Sequence, residues 1–156
     1  MFHALLETVD EISRRRALHF VWLRPGEVAL SAAPKPDDIE LLKKWGIKAV
    51  LTVRETPLPD YQGLDHFHLE APDGGVPKIS RAKQALRWMV EKVVKEHRPV
   101  LIHCQRGYGR TGLLAALYLR YTEKMDGKRA RGGVVSKLRL NVMKPEQVKF
   151  LDNFAL

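Results

Sequence analysis

The chain has 156 residues, 45% hydrophobic and 29% charged, which fits one fold with its own core; the solitary Cys104 excludes an intrachain disulfide and a Cys-based zinc site. Apolar runs such as residues 112–119 are far shorter than the roughly 20 residues that span a bilayer. The acids among the first ten residues argue against a secretory signal, so a soluble, cytoplasmic protein is expected. Lys and Arg number 27 against 18 Asp and Glu, a net charge of +9, which favours nucleic acid, anionic membranes or phosphorylated substrates as partners.

Residues 3–17 carry Ala4, Leu5, Val9, Ile12 and Ala17 at loosely helical spacing and end in Arg14-Arg15-Arg16. This predicts an N-terminal helix with its basic end at the C-terminus. Arg24-Pro25-Gly26 is a turn between strands expected at 19–23 and 27–31. Asp37 and Asp38 open a helix carrying Ile39, Leu41, Leu42 and Trp45, and Gly46 closes it. Lys48–Val53 reads as a buried strand, 56–63 as a loop, 65–70 as a second strand and 71–77 as a loop dense in turn residues. Ala82, Ala85, Leu86, Met89, Val90 and Val93 predict a helix over 80–96 capped by Ser80. Val100–Ile102 is a further strand, 105–109 a Gly-containing loop, and helices follow near 110–123, 128–139 and 145–154. Alternating strands and helices predict an α/β fold: a single domain with a mainly parallel central sheet of four to five strands and helices on both faces. Residues 1–18 would be an N-terminal helical extension of it.

The chemistry concentrates where His103-Cys104 ends a strand and Gln105-Arg106-Gly107-Tyr108-Gly109-Arg110 leads into a helix. Backbone N–H groups of such a loop can converge on one point, where the helix N-terminus adds its positive dipole end, so the loop can hold phosphate or a similar oxyanion. Gly107 and Gly109 let backbone approach a ligand closely. Arg110 supplies a planar fork for two phosphate oxygens. The same field favours the thiolate of Cys104, which makes it a nucleophile. His103 can orient the loop by bonding to its backbone, and the Thr111 hydroxyl can donate to the cysteine sulfur as it departs.

The string His103-Cys104-Gln105-Arg106-Gly107-Tyr108-Gly109-Arg110-Thr111-Gly112 resembles the signature of the cysteine-based protein tyrosine phosphatase superfamily. Ala71-Pro72-Asp73-Gly74-Gly75-Val76-Pro77 resembles its general-acid segment. Asp73 precedes Cys104 by 31 residues, a spacing that suits the small dual-specificity-like branch and within it the compact archaeal members. The resemblance runs from the hairpin near residue 27 through Phe154 and leaves the first twenty or so residues outside. It implies one phosphatase domain over 1–156 in which Cys104 attacks phosphorus, Arg110 and the loop amides hold the phosphoryl group, and Asp73 protonates the leaving oxygen. Water then hydrolyses a phosphocysteine, with Asp73 as base and Thr111 easing the release of sulfur. No metal or cofactor is implied. Asp60 is the fallback acid should Asp73 be only a turn residue, and Glu55 is a carboxylate that could brace the phosphate loop.

Two departures stand out. Arg139-Leu140-Asn141 lacks the Pro and Gly that follow an arginine in the family's last loop. Gln147 falls near the place of a water-positioning glutamine, although an ordinary exposed helical residue is the stronger expectation there. The chain has no room for the loop that deepens a phosphotyrosine-specific pocket, so phosphoserine and phosphothreonine are expected substrates beside phosphotyrosine. Arg106 and the overall basicity suggest acidic residues around the phosphosite. Rival readings are an RNA 5′-triphosphatase or phosphoinositide phosphatase using the same loop, and a catalytically silent phospho-binding module. Nucleic acid is the weaker partner, since Trp22, Trp45 and Trp88 all lie in segments read as core-facing.

Overall fold

The computed structural model describes residues 8–139 and 143–156. Residues 3–7 of the predicted N-terminal helix, and Leu140 and Asn141 of the departing loop, lie outside the described residues.

Helix α1 (Val9–Ala17) starts at Thr8, whose hydroxyl accepts the Glu11 N–H at 3.1 Å. Its acidic first turn and Arg14-Arg15-Arg16 last turn complement the helix dipole. The strand expected from residue 19 begins later, because His19 N–H donates to the Arg16 carbonyl and Phe20 N–H to the Arg15 carbonyl, which turns His19 into a left-handed conformation with φ +53°. β1 (Val21–Arg24) and β2 (Val28–Ser31) form the predicted antiparallel hairpin. α2 (Asp38–Lys44), β3 (Ala49–Val53) and β4 (Asp65–Leu69) follow.

Helix α3 (Ile79–Val90) begins one residue before Ser80, so Ser80 is not its cap; Lys78, directly after Pro77, takes the extended cap position without a side-chain bond. Beyond Val90 the expected helix widens into a π-helical turn, Glu91–Lys95. β5 (Val100–His103), α4 (Gly109–Glu123), α5 (Gly127–Leu138) and α6 (Pro145–Asn153) complete the described chain.

The sheet has five strands in the order β1-β2-β5-β3-β4, and every pairing except the hairpin is parallel. The alternating side-chain directions of the strands sort them between two cores. Val28, Leu30, Leu51, Val100 and Ile102 face a large core, whose other wall comes from α3, α4, α5 and α6. Ala29, Val50 and Leu101 face a smaller one with Leu18, Phe20 and the α2 residues Ile39 and Leu42. Trp22 and Trp45 pack on the small core and Trp88 on the large one. Helix α4 is buried continuously from Arg110 to Leu119, the pattern of a helix surrounded by protein on all sides.

α1 is tied down by a two-toothed ion pair. Arg14 Nε and Nη2 each lie 2.7 Å from a carboxylate oxygen of Asp38, which also accepts the Lys35 N–H at 2.7 Å. Burial by itself would raise the Asp38 carboxyl; the Arg14 fork and the Lys35 amide outweigh it and hold the group below its ordinary range. Because the strands run parallel, the segments after β2, β3, β4 and β5 all emerge at one edge of the sheet, where ligands of such folds bind.

Candidate active site

Cys104 leaves the central strand at that edge and is 3% exposed. The next residues turn back into the N-terminus of α4, and the Gly107 N–H points at the Cys104 sulfur, 3.3 Å away. Gly107 has φ +88°, and a Cβ there would sit 2.7 Å from the Ala32 nitrogen and the Ser31 carbonyl carbon. Both the backbone conformation and the contact with the segment after β2 therefore require glycine. That segment also donates the Ala33 N–H to the Gln105 carbonyl at 3.0 Å. From the other side, Arg54 Nη1 donates to Gln105 Oε1 at 2.9 Å. The loop is thus fixed by the exits of both strands that flank β5.

Arg110, in the first turn of α4, is 4% exposed. One edge of its guanidinium donates to the Ala71 carbonyl at 2.9 Å and to Glu55, and Nη2 lies 3.6 Å from Asp73 Oδ1. Arg110 holds the Glu55 carboxyl below its ordinary range. Glu55 therefore braces the arginine, the partner through which it reaches the phosphate loop. Asp73 is exposed and lines a cleft of about 210 Å³ together with Cys104, Arg106, Tyr108, Gly109, Arg110 and Gln147. Asp60 is not in its wall; its carboxylate accepts the Gln62 N–H at 2.8 Å and so shapes a turn.

Of the six residues predicted to hold phosphate, Arg106, Tyr108, Gly109 and Arg110 line the cleft, Gly107 reaches the sulfur through its amide, and Gln105 turns its side chain to Arg54. The Thr111 hydroxyl is buried and makes no hydrogen bond, so the expected bond to sulfur is not formed in this conformation.

His103 is where the structure adds most. Its Nδ1 is 2.9 Å from the Cys104 carbonyl and its Nε2 is 2.8 Å from Thr52 Oγ1. A carbonyl only accepts, so Nδ1 carries the proton. Burial lowers the imidazole pKa to about 4, which keeps the ring neutral and makes Nε2 an acceptor. Thr52 must then donate to His103 and accept from the Tyr61 hydroxyl at 2.7 Å, whose oxygen accepts the Leu58 N–H at 3.1 Å. The whole buried chain is satisfied in one sense only. Thr52 and Tyr61 escaped sequence reasoning because nothing in their local patterns marks them.

Gln147 departs from the expected exposed residue: it is fully buried. Its Nε2 donates to the Gly75 carbonyl at 3.0 Å and its Oε1 accepts the Lys144 N–H at 2.9 Å, joining the Asp73 loop to the start of α6. The buried placement follows from close packing, since the Gln147 amide lies against Gly109, where a Cβ would come within 3.1 Å of it. Lys144, another residue unsignalled by the sequence, adds a cation to the cleft wall. Among the described residues, no three His, Cys, Asp or Glu side chains gather in a group that could hold a metal ion.

A thiol backed by the Gly107 amide at a helix N-terminus, with a buried arginine and a carboxylate in the same cleft, has counterparts among known proteins. A family model described as polymorphic toxin system, DSP-PTPase phosphatase matches residues 26–124. The tyrosine-protein phosphatase cdcA of Emericella nidulans is 34% identical over 101 residues, 61% of this chain and 17% of that protein. Dual specificity protein phosphatase 2 of Mus musculus is 29% identical over 114 residues, 69% of this chain and 36% of that protein. The chain thus spans well under half the length of these two relatives. The crystal structure of Tk-PTP in the active form superposes with a TM-score of 0.78 at 27% identity, covering 86% of this chain and 95% of that one. Since the matched family segment runs from the β1–β2 turn to the end of α4 and contains both Asp73 and the Cys104 loop, the chain belongs to the DSP-PTPase family of cysteine-dependent phosphatases.

Proposed function

We propose that the protein hydrolyses phosphotyrosine, and phosphoserine and phosphothreonine as well, in phosphorylated proteins through a phosphocysteine intermediate. The observation that carries this reading is the shared cleft: Cys104 Sγ, backed by the Gly107 N–H at 3.3 Å, opens into the same space as Arg110 and Asp73. The sulfur attacks phosphorus, forming the S–P bond as the P–O ester bond breaks. Arg110 and the loop N–H groups take up charge on the equatorial oxygens, and Asp73 gives its proton to the leaving oxygen. Water then attacks phosphorus, Asp73 takes back a proton, and the S–P bond breaks to release phosphate.

Thr111 has a buried hydroxyl without a hydrogen bond, a donor free to turn to the departing thiolate. Gln147, in the wall of the cleft, orients the hydrolytic water once its amide exchanges the Gly75 carbonyl for that water. His103 acts through the loop backbone and does not touch substrate. The lone cysteine suits a reducing, cytoplasmic setting. In this reading residues 1–156 form one phosphatase domain, with residues 1–18 as its N-terminal extension.

Cys104→Ser tests the reading. Turnover of phosphopeptide should be abolished while binding persists, because a hydroxyl is a poor nucleophile at neutral pH and the loop and Arg110 remain. More than a few per cent of residual activity would remove Cys104 as the nucleophile. A phosphoinositide phosphatase is the second reading, favoured by Arg106 and Lys144 beside the cleft, which would suit a ring bearing several phosphates. Parallel assays on phosphopeptides, phosphoinositides and 5′-triphosphorylated RNA separate the chemistries, and absence of turnover on all of them would mark a silent phospho-binding module.

A further inference from the structure

A second cleft, of about 360 Å³, adjoins the catalytic one at Tyr108. Tyr108 lines both. The other walls come from α1 with the turn after it, and from α5. Arg15, Arg16, His19 and Lys137 bring basic groups and, among the described residues, no acidic one lines it, while Phe20 and Leu138 are among its apolar walls.

Three features mark it as a built feature of this chain. His19 is held at φ +53° by the two hydrogen bonds that close α1, a conformation that is uncommon outside glycine, and there its ring lies 5.4 Å from that of Tyr108. Arg15 is fixed over the rings of Phe20 and Trp45, at 5.1 and 4.9 Å. Arg16 and Lys137 are exposed. Apart from Tyr108, every lining residue falls outside the family-matched segment 26–124, so the family's shared chemistry does not account for the cleft.

We propose that this cleft is a second anion subsite for the phosphoprotein substrate, receiving an acidic or phosphorylated side chain two to four residues from the phosphosite. The inference rests on the proposed protein phosphatase activity. An extended peptide advances about 3.3–3.6 Å per residue, so a chain crossing Tyr108 reaches the second cleft within a few residues. The composition suits such a side chain: an apolar stem lies against Phe20 and Leu138 while its anionic head meets Arg16 and Lys137. A lone inorganic phosphate would leave those apolar walls unused, and a membrane lipid would need a broad basic face where the structure has a recess.

The test measures kcat/KM on three phosphotyrosine peptides of one length: one with neutral flanks, one with Glu two to four residues away, and one with a second phosphorylated residue there. The wild-type protein should favour both anionic peptides by about 5-fold or more, the sum of two exposed ion pairs. The Arg16→Ala/Lys137→Ala variant should lose that preference and keep its rate on the neutral peptide and on p-nitrophenyl phosphate within 2-fold. A charge-matched Arg87→Ala/Lys95→Ala variant, with both positions exposed and outside either cleft, should keep the preference. A response to only one of the two anionic peptides would identify carboxylate or phosphate as the source.

Equal rates on all three peptides in the wild type would overturn the subsite, as would a preference that survives Arg16→Ala/Lys137→Ala or is lost equally in the charge-matched variant. A loss on phosphoinositide vesicles but not on peptides would transfer the cleft to a lipid and overturn it too. Absence of turnover on every phosphopeptide would overturn the proposed activity itself, an outcome distinct from turnover without preference.

Discussion

Thr52 on β3 pairs in register with His103 on β5, and its hydroxyl lies 2.8 Å from the imidazole Nε2. Parallel pairing puts both side chains on the same face of the sheet, the face that carries the smaller core and Tyr61. The nucleophile's own carbonyl is thereby connected to a buried hydroxyl on a strand 51 residues earlier in the chain.

Thr52→Val keeps the volume and removes the hydroxyl, which leaves His103 Nε2 and the Tyr61 hydroxyl without their partner. We expect a loss of about 1–3 kcal/mol in urea unfolding and a several-fold fall in kcat with KM little changed. Thr52→Ser should recover most of the activity. Equal effects of Val and Ser on kcat would show that Thr52 acts through packing alone.

The neutral His103 gives stability a defined pH dependence. Unfolded, the imidazole titrates near its ordinary 6.5; folded, burial lowers it to about 4. The unfolded chain therefore takes up a proton that the folded one refuses. The contribution is full above about 6.5 and falls away as pH drops towards 4, on the order of 3 kcal/mol in all. Chemical unfolding at several pH values should show this slope in the wild type and lose it in His103→Asn. A difference between the two proteins that does not vary with pH would contradict the assignment.

For the general acid the leaving group sets the size of the effect. Asp73→Asn should slow a phosphopeptide about 100-fold or more and an activated aryl phosphate less, since only the poorer leaving group needs the proton. It should also flatten the basic limb of the pH–rate profile. Asp60→Asn should leave kinetics unchanged, because its carboxylate serves the turn at Gln62. The reverse pattern would move the acid to Asp60.

Gln147→Ala removes the bond to the Gly75 carbonyl and frees the Lys144 amide. If Gln147 orients the hydrolytic water, breakdown of the phosphocysteine becomes the slow step. An activated aryl phosphate should then give a stoichiometric burst of phenol before a steady rate reduced about 10-fold. Slower turnover without a burst would assign Gln147 to holding the Asp73 loop alone.

The sequence by itself determined the parts of the site that are contiguous. A strand, a Gly-containing loop and a helix N-terminus are local features, so the Cys104–Arg110 string announces its own loop and chemistry, although the exits of β2 and β3 hold that loop in place, and the hairpin and the alternation of strands and helices follow from local periodicity. Asp73 was legible because its loop carries a motif of its own. The tertiary structure decided everything that depends on strand order and packing. Placing β5 between β2 and β3 sets Thr52 beside His103 and forces Gly107 against Ala32. Packing α6 against the loop buries Gln147, which its helical spacing alone leaves on the surface, and closing α1 through His19 delays β1 to Val21. Side chains far apart in the chain meet only when the sheet order is fixed, and burying a polar group among them requires a partner that no local pattern specifies.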